Sequence, residues 1–187
     1  MAESSASTFG PLLDAVSFAA RVHRHQLRKD GQTPYVSHVF RVCLVVRHVF
    51  GIADAATMMA AALHDTIEDT TTDHDDLEEH FGREVADWVA LLSKDSRLPE
   101  AEREHAYAAQ LARAPWQVKV CKLADVFDNL LDTTGRPGLR PRMLAKARVY
   151  LAAVGTDLPE PARRPWEIVS ELLAMLEAEE AARSSGA

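Results

Sequence analysis

Cysteine is scarce in this chain: Cys43 and Cys121 are the two among 187 residues, too few for a disulfide framework. No apolar run approaches the roughly 20 residues that a membrane-spanning helix needs. The longest, at 58–63, is short and rich in alanine. The opening stretch MAESSASTFG has neither a basic n-region nor an apolar h-region, so no secretory signal is visible and the cytoplasm is the expected compartment. Positive charge is also in short supply. Lys and Arg number 21 against 28 Asp and Glu, a formal net charge of −7, which argues against bulk binding to nucleic-acid phosphates but leaves room for a local basic patch around one small anion. Sustained alternation of apolar and polar residues is missing too, so half-buried strands are not expected.

What is present is the composition of an ordinary globular protein, 47% apolar and 26% charged. A chain of this size can bury roughly 70% of its unfolded surface around one core. The expectation is one domain over 11–183, between a flexible N-terminus at 1–10 and a flexible C-terminus at 184–187. Periodicity of 3.6 residues recurs throughout and predicts an all-α bundle of about eight helices, over 12–29, 37–50, 54–68, 74–92, 100–112, 116–131, 141–154 and 165–182. The helix at 54–68 is apolar around its circumference (AATMMAAAL) and should be central. The last helix is acidic and rich in Ala and Leu, and either covers the core or packs on another subunit. The oligomeric state, a homodimer included, is left open. The segment 132–140, with Gly135, Pro137 and Gly138, reads as a loop of unassigned role.

Chemistry concentrates in three places. His64-Asp65-Thr66-Ile67-Glu68-Asp69 continues the most apolar helix, and on an unbroken helix His64 and Glu68 share one row while Asp65 and Asp69 share the next. Buried carboxylates need a compensating charge, which a divalent cation supplies compactly; the other reading is a solvated helix end, which the macrodipole disfavours. Asp125 is the second place. It lies on a stripe with Val118, Cys121, Asn129 and Asp132 that either lines a pocket or forms the exposed face of a surface helix. The third is His38, a structural histidine or a ligand, preceded by Arg24, Arg28 and Lys29. These cations either stabilise the end of the first helix or hold an anion. Cys43 and Cys121 read as core residues; Cys121 precedes Asp125 by one turn, which leaves redox sensitivity open.

Four segments occur in a telling order: HRHQLRKDGQTPYVSH at 23–38, AALHDTIEDT at 61–70, the pair Phe81-Gly82, and KLADVFDNL at 122–130. Together they resemble the HD-domain metal-dependent phosphohydrolases, within them the hydrolase domain of the bifunctional RelA/SpoT alarmone enzymes and the stand-alone MESH1-like small alarmone hydrolases. The resemblance implies that His38, His64, Asp65 and Asp125 hold one divalent metal, usually Mn²⁺ in the family. Two imidazoles and two carboxylates would also accept Fe²⁺ or Zn²⁺. It further implies Glu68 and Asp69 as the catalytic acids, and Arg28, Lys29, Tyr35 and Asn129 as substrate-binding residues.

The implied reaction is hydrolysis of guanosine 3′,5′-bispyrophosphate (ppGpp) or its pentaphosphate relative (pppGpp) to GDP or GTP and pyrophosphate, by a chain too short to add a synthetase domain. Other readings share the motifs: an HD phosphatase acting on NADPH at the 2′-phosphate or on a nucleoside monophosphate, or a nucleotide-binding module without catalysis. Val39, Val126, Asp128 and Leu131 depart from the family's pattern. With Val126 and Leu131 in place of cations and Asp128 added, a less positive pocket rim and a less charged substrate are expected.

Overall fold

The computed structural model describes residues 5–185. Its elements are α1 (Ser5–Val22), α2 (Val36–Leu44) continued by a π-helical turn (Val45–Val49), α3 (Ala55–Leu63), α4 (Thr66–Asp69), α5 (His74–Phe81), α6 (Arg83–Leu92), α7 (Glu100–Arg113), α8 (Trp116–Leu131), a 3-10 turn (Pro137–Leu139), α9 (Arg140–Val154) and α10 (Glu160–Ser185). Among the described residues extended backbone pairs only at one bridge, Leu27 with Pro34, and no helix is long and apolar enough to cross a membrane.

The all-α expectation holds, and the eight expected helices become ten because two of them divide. The segment 54–68 starts as expected: Asp54 caps α3 by accepting the Thr57 N–H at 2.8 Å. It then breaks at His64 and Asp65, where Asp65 turns to φ −102°, ψ 1° and the Thr66 hydroxyl donates to the Leu63 carbonyl at 2.7 Å. His64, Asp65, Glu68 and Asp69 therefore do not form the two rows of one continuous helix. The segment 74–92 divides at Gly82, whose φ of 82° suits glycine alone.

The expected helix at 12–29 is displaced. α1 begins at Ser5 and stops at Val22, so 5–10 of the expected flexible N-terminus is helical. α10 likewise runs through 184 and 185; residues 1–4 and 186–187 lie outside the described residues. After α1 the chain doubles back on itself. The Arg28 N–H donates to the Thr33 carbonyl at 2.7 Å and Tyr35 N–H to the Gln26 carbonyl at 2.9 Å, while Asp30 accepts the backbone N–H groups of Gln32 and Thr33 around Gly31 at φ 72°. Arg28 and Lys29 thus sit in this turn and do not close a helix, which removes the macrodipole explanation for them.

Two helices form the centre. Thr57, Ala60, Ala61, Ala62 and Leu63 of α3 are buried, and its alanines let α1 come close through Ala15 and Ala19. Eleven residues of α8 are buried, because α8 packs against α2, α3, α6, α9 and α10. Helix α10 covers the core: Ala162, Val169, Leu173 and Leu176 are buried against the other helices of this same chain. Trp166 Nε1 donates to the Leu151 carbonyl at 2.9 Å. This approach depends on Gly155, where a Cβ would meet Trp166 Nε1 at 3.0 Å.

Candidate active site

Three central elements converge their polar residues on one point. His38 comes from the first turn of α2, His64 and Asp65 from the break between α3 and α4, and Asp125 from the middle of α8. His38 Nε2 lies 3.2 Å from Asp125 Oδ1 and 3.7 Å from Asp65 Oδ2; His64 Nε2 lies 2.9 Å from Asp65 Oδ2 and 4.0 Å from Asp125 Oδ1. His38, His64 and Asp65 each offer an atom within 4.8 Å of the other two, an arrangement that can hold a metal ion.

The arrangement fits a divalent cation on independent grounds. The outward nitrogen of each imidazole is committed to an acceptor: His64 Nδ1 to the Ala61 carbonyl at 2.8 Å, His38 Nδ1 to Asp128 Oδ2 at 2.6 Å. Both Nδ1 atoms therefore keep their proton, and both Nε2 atoms point inward, where they would offer a lone pair to an ion on losing theirs. His64 Nε2 is buried without a hydrogen bond, its 2.9 Å approach to Asp65 being misaligned for one. Donors on a common ion at roughly 2.1 Å lie roughly 3.0 to 4.2 Å apart, close to the separations found.

The acids and imidazoles shift one another. Burial opposes the charge on His38, yet the hydrogen bonds that its ring donates to the carboxylates of Asp125 and Asp128 outweigh it and raise its pKa to about 9. Burial likewise opposes His64, and Asp65 overrides it in the same direction. Asp125 is pulled well below the carboxylate range against its burial, chiefly by the Lys122 ammonium, whose Nζ donates to Oδ2 at 2.8 Å. Lys122 is itself buried, 4.3 Å from the ring centroid of Tyr150 and 5.2 Å from that of Tyr107. The Tyr35 hydroxyl donates to Asp65 Oδ2 at 2.5 Å and Asn129 Nδ2 to Asp125 Oδ1 at 2.5 Å.

A cavity of about 520 Å³ opens on this cluster. Every residue assigned from the sequence resemblance lines it: His38, His64, Asp65, Asp125, Glu68, Asp69, Arg28, Lys29, Tyr35 and Asn129. The exposed-face reading of Asp125 is therefore corrected. Glu68 and Asp69 reach solvent, but the protein crowded around their carboxyls pushes both upward from their ordinary values, with Asp65 adding to the shift. Gln26 Nε2 donates to the Asp69 carbonyl at 2.6 Å and so ties the turn after α1 to α4.

Sequence reasoning missed the opposite wall. Lys94, Lys122, Arg142 and Lys146 also line the cavity. Lys94 follows α6, Lys122 lies on α8, and Arg142 and Lys146 lie four apart on α9; only Lys122 lay inside a quoted motif. The expectation of a less positive rim is largely corrected. Asp128 is buried beneath the cavity at 2% exposure, and Leu131 is 43% exposed away from it; of the three, Val126 alone lines it. The loop at 132–140 contributes Asp132, Thr133 and Leu139 to the wall. Arg28 Nη2 donates to Asp132 Oδ2 at 3.0 Å, and Arg136 stands 3.4 Å from Asp132 and 3.8 Å from Asp30. Cys43 and Cys121 are buried, and burial pushes the Cys43 thiol up to about 12 and the Cys121 thiol up as well, which supports their reading as core residues.

An all-helical bundle with two inward imidazoles and a His-Asp pair at a helix break defines a class, and comparison with known proteins agrees. The family model of the HD domain matches residues 15–150, and the chain belongs to the HD-domain family. It is 43% identical over 122 residues to human guanosine-3′,5′-bis(diphosphate) 3′-pyrophosphohydrolase MESH1, a match covering 65% of this chain and 68% of that protein. Among solved structures it is similar to a metazoan ortholog of SpoT that hydrolyzes ppGpp and plays a role in starvation responses. That match has a TM-score of 0.78 at 29% identity and covers 89% of this chain and 95% of the other. A protein of Listeria monocytogenes, lmo0812, shares the fold at a TM-score of 0.64 and 23% identity, over 76% of this chain and 95% of that one.

Proposed function

We propose that this chain, folded as one domain, is a metal-dependent phosphohydrolase that removes the 3′-diphosphate of guanosine 3′,5′-bispyrophosphate or its pentaphosphate relative, releasing pyrophosphate and GDP or GTP. The observation that carries this reading is the single cavity in which inward imidazoles, two raised carboxylates and cations on both walls meet. The human relative and the metazoan SpoT ortholog, whose names describe this reaction, support it.

His38, His64, Asp65 and Asp125 would hold one divalent ion, Mn²⁺ in this reading, with Fe²⁺ and Zn²⁺ compatible with the donors. When bound, such an ion supplies Lewis acidity and makes water easier to deprotonate near neutral pH. The chain's own residues do the rest. Tyr35 and Asn129 hold Asp65 and Asp125 through hydrogen bonds, and Lys122 fixes the second oxygen of Asp125. Glu68 takes a proton from the attacking water, since a carboxylate raised by burial is closer to the operating pH than a free one. Asp69 shares that duty as the neighbouring acid. Arg28 and Lys29 on one wall, and Lys94, Arg142 and Lys146 on the other, bind phosphates. The bond between phosphorus and the ribose 3′-oxygen breaks, that oxygen leaves as the hydroxyl of GDP or GTP with the proton that Glu68 or Asp69 took from the water, and the pyrophosphate formed has its charge met by these cations.

A substrate with fewer phosphates, such as NADPH hydrolysed at its 2′-phosphate, is the second reading. It is favoured by Val126 on the wall and by Glu104, whose carboxylate stands 3.3 Å from Lys94 Nζ and 3.4 Å from Lys146 Nζ and offsets part of their charge. The test offers guanosine tetraphosphate, NADPH and nucleoside monophosphates to the Mn²⁺-loaded protein and measures pyrophosphate and orthophosphate separately. Pyrophosphate from the tetraphosphate is the expected result. Orthophosphate from NADPH alone selects the second reading, and no turnover of any of them leaves a binding module.

A further inference from the structure

Asp128 follows Asp125 by about one turn on α8 and is one of the positions where the chain departs from the family pattern. At 2% exposure it is among the most buried acids of the molecule. Its Oδ1 accepts the Arg41 Nε–H at 2.6 Å, its Oδ2 lies 2.6 Å from His38 Nδ1, and Arg28 Nη2 stands 3.8 Å from the same Oδ2. Arg41 reaches solvent with 43% of its side chain exposed. The carboxylate thus bridges the outside of the molecule and the back of the His38 ring.

An ionised carboxylate can only accept, so the proton in the His38–Asp128 contact resides on Nδ1. In the neutral ring that leaves the lone pair on Nε2, the atom facing Asp65 and Asp125. The ring is also held at its sides, in edge contact with Tyr35 at 5.7 Å and His64 at 5.2 Å between centroids. A buried carboxylate needs a counter-charge, and Arg41 provides it from the side away from the site. The His38 contact is equally short, although it is not required for charge balance. A carboxylate behind an imidazole increases the electron-donating power of the opposite nitrogen.

We propose that Asp128 is a positioning residue of the metal site, acting through His38 by fixing its tautomer and ring orientation so that Nε2 is presented to a divalent ion. This rests on the reading of His38 as a ligand, and the experiment separates the two.

The full chain is titrated with Mn²⁺ and free ion is followed by electron paramagnetic resonance, for wild type, Asp128→Asn, Arg41→Gln and His38→Ala. Circular dichroism and thermal unfolding are recorded without the ion. In Asp128→Asn the helical spectrum is retained and the Mn²⁺ Kd rises about 10–100-fold, the range for lost partners behind a ligating histidine. Arg41→Gln lowers thermal stability and leaves Kd where it was, while His38→Ala abolishes binding. If Asp128→Asn does not fold, the double variant Asp128→Asn/Arg41→Gln strands no charge and carries the same expectation. A wild-type Kd in the folded Asp128 variant, with binding lost in His38→Ala, overturns the positioning role alone. An equal rise in Arg41→Gln also overturns it, since packing would then explain both. Unchanged binding in His38→Ala overturns the ligand reading and the inference with it.

Discussion

Glu68 Oε2 accepts the backbone N–H of Lys94 at 3.1 Å, tying the acid of α4 to the segment that follows α6. The bond holds one oxygen of a carboxylate that burial and Asp65 push upward, although the Lys94 and Lys122 ammonium groups pull it back. Glu68→Gln preserves shape and the hydrogen bond while removing the proton acceptor. Its kcat should fall by roughly 10²–10⁴-fold, with KM and bound Mn²⁺ close to wild type. Steady-state kinetics with metal analysis checks this, and near-normal turnover would assign the proton transfer to Asp69.

The donor set predicts about one Mn²⁺ per chain. His64→Ala removes a nitrogen whose tautomer the Ala61 carbonyl sets, and Asp125→Ala removes the acid shared by His38, Lys122 and Asn129. Both variants should lose the ion on gel filtration followed by elemental analysis. They should differ in stability: Asp125→Ala strands the buried Lys122 ammonium, and leaving a buried charge unpaired typically costs about 3–5 kcal/mol. His64→Ala strands no such charge, so Asp125→Ala should show the larger drop in Tm. Full metal occupancy in either variant would remove that residue from the ligand set.

Much of this was legible in the sequence, and the remainder had definite reasons for escaping. α8 runs over Trp116–Leu131, as its periodicity indicates, and Asp125 is buried on it. The break at His64 and Asp65 escaped because the helical pattern of residue types runs straight through it. The backbone departs there only where the Thr66 hydroxyl takes the Leu63 carbonyl. The helix at 12–29 was placed too late because the residues before Leu12 carry little apolar signal, and it was drawn too far because the turn after Val22 is closed by backbone bonds, Arg24 N–H to the Arg21 carbonyl and Gln26 N–H to the His23 carbonyl. Arg142 and Lys146 share one row of α9 four residues apart, a spacing common on any exposed helix face, and only the packing of α9 and of the segment after α6 brings them and Lys94 to the cavity. Asp128 was placed on the rim because residue type alone cannot tell a carboxylate facing the cavity from one facing α2.

Glu104 makes stability depend on acidity. Although partial burial opposes its charge, the Tyr150 hydroxyl at 2.7 Å and the ammonium groups of Lys94 and Lys146 lower its pKa from 4.5 to about 2. A carboxylate with a depressed folded-state pKa contributes stability above its unfolded value and loses it as pH falls through the folded one. The wild-type Tm should therefore exceed that of Glu104→Gln above about pH 4.5, and the gap should close as pH drops toward 2. Thermal unfolding at stepped pH measures the gap, and one that stays constant throughout would show that the carboxylate charge is not what stabilises this wall.

Arg28 and Lys29 offer the sharpest test of substrate charge, because the turn that holds them removes any stake in helix stability. Arg28 is paired with Asp132 at 3.0 Å and stands 3.8 Å from Asp128, so an incoming phosphate must compete with carboxylates for it. The net charge of −7 adds a field that repels polyphosphates, and local cations must offset it. Replacing both residues by Ala should raise KM steeply for guanosine tetraphosphate and little for a nucleoside monophosphate, since only the larger anion needs both walls. The salt dependence of KM should shrink in the same variant, because fewer ionic contacts remain to be screened. Bound Mn²⁺ should be unchanged, as neither residue belongs to the donor cluster. Kinetics at two ionic strengths with both substrates decides the matter: a KM that rises equally for both, or more for the monophosphate, would mean that Lys94, Arg142 and Lys146 carry the extra phosphates and that Arg28 serves mainly to anchor the loop at Asp132.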